Sequence, residues 1–276
     1  MDTLPPFGRT ALLLDLDGTL LDLAPTPDAV TVAAGLTDAL AALRDAMGGA
    51  LAIVTGRPIE TVDRLLGDVP GAVAGEHGGA VRHRPGGPVE RPDLPPPPDS
   101  WIRAADALAS AFPGAMLERK ARGFALHFRQ APQAGPLFRS VLQALVDERP
   151  AFQLLPAHML WEVRPVGADK GKAVSLLMER APFQGRLPLF IGDDVTDEDG
   201  MQVARQLGGA GLRVDAAFGD PAGVRGWLAR SAAAGDWAAL PRGRPGESRP
   251  GERPRESRPG EPQPARRHQG KPHDAS

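Results

Sequence analysis

Three short runs of this chain are apolar almost from end to end: Thr10 to Leu14, Leu51 to Val54 and Leu187 to Ile191. A strand with one wet face alternates polar and apolar residues. A strand that does not alternate is covered on both faces, which is the condition of a central strand in a parallel sheet flanked by helices. Between the first two runs, Leu36, Leu40, Leu43 and Met47 recur at helical spacing. After the second, Pro58 suits the first turn of a helix whose apolar face is Ile59, Val62, Leu65 and Leu66. The alternation of strand and helix predicts a doubly wound, Rossmann-like α/β core.

The rhythm breaks after residue 80. A proline-rich connector, RPDLPPPPDS (91–100), reads as extended. It leads into a helix (101–111), strands at 115–120 and 123–129, a helix over 135–147, and strands near 152–155 and 158–164. In the second of these strands Phe124, Leu126 and Phe128 alternate with Ala125, His127 and Arg129, so one face is polar. This α-β-β-α-β-β order predicts an α+β domain inserted into the first. The parallel rhythm then resumes with a helix (170–180), the strand at 187–191, a last strand at 212–214 and a helix at 221–228. The expected organisation is a core of 1–80 and 167–240, an inserted cap of 81–166, and a tail of 241–276. The tail repeats a Pro-Gly-charge unit with no apolar residue to bury and reads as disordered.

Composition narrows the function. With no cysteine, disulfides, thiolate catalysis and cysteine metal sites are excluded. A net charge of −2 gives no reason to expect nucleic acid or a membrane surface as partner. The start of the chain lacks the pattern of a signal peptide, so a cytoplasmic protein is expected.

Polar residues collect just past the apolar runs. Asp15 and Asp17 follow the first, Thr55 and Gly56 the second, Asp193 and Asp194 the third, and Lys170 opens the helix before the third. In an open α/β sheet, ligands bind outside the carboxyl ends of the strands, so these groups can share one site. Four carboxylates cannot all stay ionised there without a cation. Oxygen-only donors point to Mg²⁺. Such a site suits phosphoryl transfer: a carboxylate attacks phosphorus, a second two residues on protonates the leaving oxygen, and a hydroxyl and a lysine hold the phosphate. A TGR or a GDD alone says little. The order DxDGT, TGR, Lys, GDDxTDE, each beside an expected strand, says much more.

That order resembles the haloacid dehalogenase-like phosphatases. The resemblance implies that Asp15 is the nucleophile and Asp17 the general acid/base, and that Thr55, Gly56 and Lys170 bind phosphate. It further implies that Asp15, Asp193 and the main-chain carbonyl of Asp17 ligate Mg²⁺, with Asp194 behind them. The inserted segment is similar to that of trehalose-6-phosphate phosphatases, through AGEHGG (74–79), LERKARGFALHFR (117–129), WEVRP (161–165) and ADKGKA (168–173). This implies trehalose 6-phosphate as the small-molecule substrate and a trehalose-6-phosphate synthase as a pathway partner. The residues implied in sugar binding are Glu118, Lys120, Arg129 and Glu162, with Glu76 and His77 near the cleft. One departure is Ala157-His158, where relatives often carry Gly-Lys; His158 is then the group offered to the sugar. His127 is expected to be structural and His83 solvated. Another sugar phosphate as substrate, or a catalytically idle sugar-phosphate sensor, are the alternatives.

Overall fold

The computed structural model describes residues 3–24, 26, 29–120, 122–157 and 159–241. The expected disorder of the tail beyond residue 241, and the position of His158, lie outside these residues.

The three apolar runs form the centre of a seven-stranded sheet. Its strands are β1 (Thr10–Leu14), β2 (Leu51–Val54), β3 (Ala72–Gly75), β4 (Ala80–Arg82), β5 (Val89–Glu90), β10 (Leu187–Gly192) and β11 (Ala210–Arg213). The spatial order is β11-β10-β1-β2-β3-β4-β5. The chain moves outward from β1 first to one side, through β2 and β3, and later to the other, through β10 and β11. β1 therefore stands at the topological switch point, where a crevice opens at the strand ends. β11, β10, β1, β2 and β3 run parallel, while β4 and β5 are added antiparallel. The first sheet thus continues through residue 90, ten residues past the boundary that the broken rhythm suggested.

Leu12, Leu13 and Leu14 are fully buried, as are Leu51 to Val54. Helices α1 (Leu36–Ala46), α2 (Ile59–Leu66), α5 (Lys170–Met178), α6 (Asp197–Gln206) and α7 (Pro221–Ala234) flank this sheet. The Asp169 side chain caps α5 by accepting from the Lys172 amide at 2.7 Å. β11 begins two residues earlier than expected. Gly209 and Gly211 are sites of close packing. A Cβ on Gly209 would lie 1.9 Å from the Pro188 carbonyl oxygen, and one on Gly211 2.5 Å from the Met201 Cβ.

The inserted segment forms a second, antiparallel sheet of β6 (Met116–Arg119), β7 (Phe124–His127), β9 (Leu160–Pro165) and β8 (Phe152–Ala157), in that spatial order. Helices α3 (Asp99–Ala111) and α4 (Gly135–Asp147) cover one of its faces. That face supplies a separate apolar cluster built on Trp101, Phe124, Leu126, Phe138, Leu142, Phe152 and Val163. The register pairs Glu118 with Ala125 and Ala125 with Glu162. Directly paired residues share a face, so Glu118, Lys120, His127, Glu162 and Arg164 all fall on the uncovered side. The polar face expected from β7 alone is a property of three strands. No helix among the described residues is long and apolar enough to cross a membrane.

Candidate active site

Strand register brings the catalytic candidates level. Leu14 is paired with both Ile53 and Ile191, so the residues just past them, Asp15, Thr55 and Asp193, emerge side by side. Gly18 has φ +77°, which favours glycine, and closes the turn by donating its amide to the Leu21 carbonyl at 2.8 Å. A Cβ there would lie 2.3 Å from the Asp193 carboxylate, so glycine is also what lets Asp193 approach.

Both oxygens of Asp15 are held. Lys170 donates to Oδ1 at 2.6 Å and the Thr19 hydroxyl to Oδ2 at 3.1 Å. The same ammonium donates to Asp197 Oδ1 at 2.5 Å. The other oxygen of Asp197 accepts the main-chain amides of Asp193 and Asp194, at 3.0 and 2.9 Å. Among the described residues, Asp15, Asp193 and Asp197 form a trio whose ligand atoms lie within 4.8 Å of one another. Asp194 lies outside that trio, and its Oδ1 accepts the Val195 amide at 2.7 Å. The Asp17 side chain also lies outside it, gripped by Arg57 through bonds of 2.6 and 2.7 Å.

Burial and the neighbouring Asp197 carboxylate raise the pKa of Asp15 well above the carboxylate range, against the pull of Lys170. Burial works against the Lys170 ammonium, but Asp15 and Asp197 outweigh it and hold its pKa above the usual lysine value. One ammonium among three crowded carboxylates leaves an excess of negative charge and only oxygen donors. That donor set fits a hard divalent cation.

The polar face of the second sheet carries another buried charge cluster. Lys120 Nζ lies 2.5 Å from Glu162 Oε1, and His77 Nε2 3.0 Å from Glu162 Oε2. Burial opposes the Glu162 anion, yet His77 and Lys120 outweigh it and hold its pKa well below the usual value. Burial pushes His77 down to about 4. Glu118 bonds His127 at 2.8 Å, so the histidine expected to be structural stands against a sugar-site candidate. Arg164, two positions along from Glu162, is buried, and its Nε and Nη1 find no hydrogen-bond partner among the described residues.

Other candidates are placed differently. Glu76 is paired with Arg91 at 2.9 Å. Arg129 donates to the Ala24 carbonyl, tying the second sheet to the loop after β1. His83 is not solvated as expected: it is partly buried, 3.6 Å from Glu90. Sequence reasoning passed over Asp197, Arg57 and Arg164. All three sit inside quoted motifs, as the third acid of GDDxTDE, the arginine of TGR and the arginine of WEVRP, and their motif positions were the available signal.

A parallel sheet with a lysine-held aspartate at its switch point and an inserted antiparallel sheet defines a phosphatase of the haloacid dehalogenase-like kind. The structure is similar to a haloacid dehalogenase-like hydrolase from Bacteroides thetaiotaomicron (13% identity, TM-score 0.57, covering 80% of this chain and 98% of that one). It is also similar to the C-terminal domain of C. albicans trehalose-6-phosphate phosphatase (20% identity, TM-score 0.66, covering 82% and 93%). The trehalose-phosphatase family model matches residues 13–222, and the Escherichia coli K12 trehalose-6-phosphate phosphatase is 37% identical over 211 residues, 75% of this chain and 78% of that one. The chain belongs to the trehalose-phosphatase family and is a phosphoric monoester hydrolase.

Proposed function

We propose that this chain hydrolyses trehalose 6-phosphate to trehalose and phosphate through an aspartyl-phosphate on Asp15. One juxtaposition carries the reading: the loop Thr55–Gly56, beside Asp15, is packed against His77, which holds Glu162 of the second sheet. Phosphate chemistry and a cluster suited to hydroxyls thus meet at one residue. Sugar hydroxyls both donate and accept, and charged side chains make the stronger hydrogen bonds to them. Glu118, Lys120 and Glu162 offer both kinds of partner, and the second sheet serves as the cap over the leaving group.

In the first step an Asp15 oxygen attacks phosphorus and the bond from phosphorus to the sugar O6 breaks. Asp17 gives O6 its proton. Water then attacks the phosphorus of the aspartyl-phosphate, Asp17 takes the proton from that water, and phosphate leaves with Asp15 restored. Lys170 and Thr55 hold the phosphate oxygens, and Thr19 and Lys170 fix the attacking carboxylate. Asp15, Asp193 and Asp197 would hold Mg²⁺, which when bound supplies the positive charge that lets crowded carboxylates and a phosphate share the site. A synthase that makes the phosphorylated disaccharide would supply the substrate, and a cytoplasmic location is part of the same reading.

The test is phosphate release from trehalose 6-phosphate, glucose 6-phosphate and sucrose 6-phosphate, with Mg²⁺ and with EDTA. The expected result is Mg²⁺-dependent turnover with strong preference for the trehalose ester. Preference for another ester would overturn the substrate while leaving the chemistry. Tight binding without phosphate release would overturn the chemistry and favour a sensor.

A further inference from the structure

His77 occupies a backbone that histidine does not favour. Glu76, His77 and Gly78 have φ values of 53°, 55° and 92°, three successive residues in the left-handed region. Side chains other than glycine are held there only when the surroundings fix them. Here the surroundings are the phosphate loop and the helix that carries Lys170. The Glu76 amide donates to the Arg57 carbonyl at 3.0 Å and the His77 amide to the Thr55 carbonyl at 2.9 Å. A Cβ on Gly78 would meet Ala173 and the Asp169 carbonyl at 3.1 Å, so the segment lies directly on α5.

The ring is placed as tightly as the backbone. A Cβ on Gly56 would lie 2.5 Å from His77 Nε2. That same nitrogen is 3.0 Å from Glu162 Oε2, and both residues are buried, at 7% and 4% exposure. An ionised carboxylate only accepts hydrogen bonds, so Nε2 carries the proton and donates. With Lys120 on the other oxygen, the Glu162 carboxylate is fixed at both ends. Nδ1 is buried without a hydrogen-bond partner among the described residues, so the ring's polar contact runs through Nε2 toward Glu162.

We propose that His77 is a positioning residue: its Nε2–H, seated on Gly56 of the phosphate loop, orients Glu162 for the sugar, so that it acts on sugar recognition through Glu162 rather than by touching the substrate. This deepens the reading of the site as a sugar-phosphate phosphatase and rests on it. It also turns the glycine of the TGR loop into a specificity element, because only a residue without a side chain lets the imidazole sit where it reaches the second sheet.

The two ring nitrogens allow a geometric test. The glutamine amide nitrogen reaches the position of Nε2, and the asparagine amide that of Nδ1. Phosphate release from trehalose 6-phosphate is measured for wild type, His77→Gln, His77→Asn, Glu162→Ala and the His77→Asn/Glu162→Ala double variant, with thermal unfolding as a check on folding. The expected result is a KM about ten- to hundredfold higher for His77→Asn with a smaller change in kcat, the effect of misplacing a hydrogen bond to a charged group. His77→Gln should return to within about threefold of wild type, and His77→Asn should add nothing once Glu162 is alanine. Equal losses in the Gln and Asn variants, or a full additional loss in the Glu162→Ala background, would overturn the proposal. If His77→Asn does not fold, His77→Gln decides: near wild-type KM supports the role, and a tenfold rise overturns it. If wild type prefers another sugar phosphate, the series is read on that ester; if it turns over none, it is read as the Kd for trehalose 6-phosphate by calorimetry. A failed substrate assignment and a failed role for His77 are thereby separate results.

Discussion

Arg57 holds Asp17 in a two-pronged grip, Nε to Oδ2 at 2.6 Å and Nη2 to Oδ1 at 2.7 Å. The pair links the loop after β2 to the loop after β1, and it sets the direction of the carboxylate proposed to serve the leaving oxygen. The Arg57 main chain is fixed as well, its amide donating to the Thr55 hydroxyl at 3.2 Å and its carbonyl accepting from Glu76. General acid/base catalysis is worth about 10²- to 10⁴-fold, and a misaimed carboxylate forfeits part of it. Arg57→Leu should lower kcat about ten- to hundredfold. Arg57→Lys should recover only part, since an ammonium cannot reproduce the fork. Steady-state kinetics decide it, and an unchanged kcat in Arg57→Leu would remove the role.

Asp15→Asn should move activity and stability in opposite directions. The amide cannot attack phosphorus, so turnover should fall to the background of the assay. The same change removes one of three crowded carboxylates, in a place where burial and Asp197 already raise the pKa of Asp15. Lys170 keeps Asp197 as its partner at 2.5 Å. In EDTA the melting temperature of the variant should equal or exceed that of wild type. A drop of several degrees would mean that the Asp15 charge stabilises the fold.

Asp197 and Asp194 make a direct comparison. Asp197 is fully buried in the trio, while Asp194 accepts its neighbour's amide outside it. Altering groups that orient a metal site typically costs about 10- to 100-fold in affinity or activity. Asp197→Asn should raise the Mg²⁺ concentration for half-maximal activity by about that much, and Asp194→Asn by about twofold or less. The opposite ranking in a Mg²⁺ titration would move the cation site toward Asp194.

These residues also mark how far the sequence could be read. The buried strands were legible because burial on both faces writes itself as an unbroken apolar run, and the polar ends of those runs located Asp15, Thr55 and Asp193. Asp197 was not legible as a member of the trio. Its position four residues past Asp193 matters only once β10 has turned into α6 and brought the two together. The grip on Asp17 joins residues 40 apart, a pairing that depends on the register of β1 and β2. The polar face of the second sheet was half legible: alternation in β7 predicted it, but its members on β6 and β9 follow from strand pairing.

His77 should make stability depend on pH below neutrality. Burial lowers its pKa from the ordinary 6.5 to about 4. Well above pH 6.5 the ring is neutral in folded and unfolded chains alike, and its contribution is fully present. As the pH falls from 6.5 toward 4 only the unfolded chain takes up the proton, so stability is lost across that window. Between pH 7 and 5 the loss should be about 2 kcal/mol greater in wild type than in His77→Gln, which has no such proton. Urea unfolding at the two pH values measures it, and parallel slopes would show that the ring titrates normally.

Gly56→Ala is the smallest change that should damage both halves of the site. The added methyl would lie 2.5 Å from His77 Nε2 and 2.8 Å from its Cε1, well inside van der Waals contact. The imidazole cannot yield easily, because its backbone is bonded to the Thr55 carbonyl and its Nε2 to Glu162. Overpacking of this kind costs about 1–3 kcal/mol, so a lower melting temperature is expected. The same push displaces the ring from Glu162, and KM for trehalose 6-phosphate should rise with it. Combining Gly56→Ala with His77→Ala separates the two effects. The space left by the ring should restore the melting temperature while KM stays high. A double variant no more stable than Gly56→Ala alone would show that the methyl collides with something other than His77.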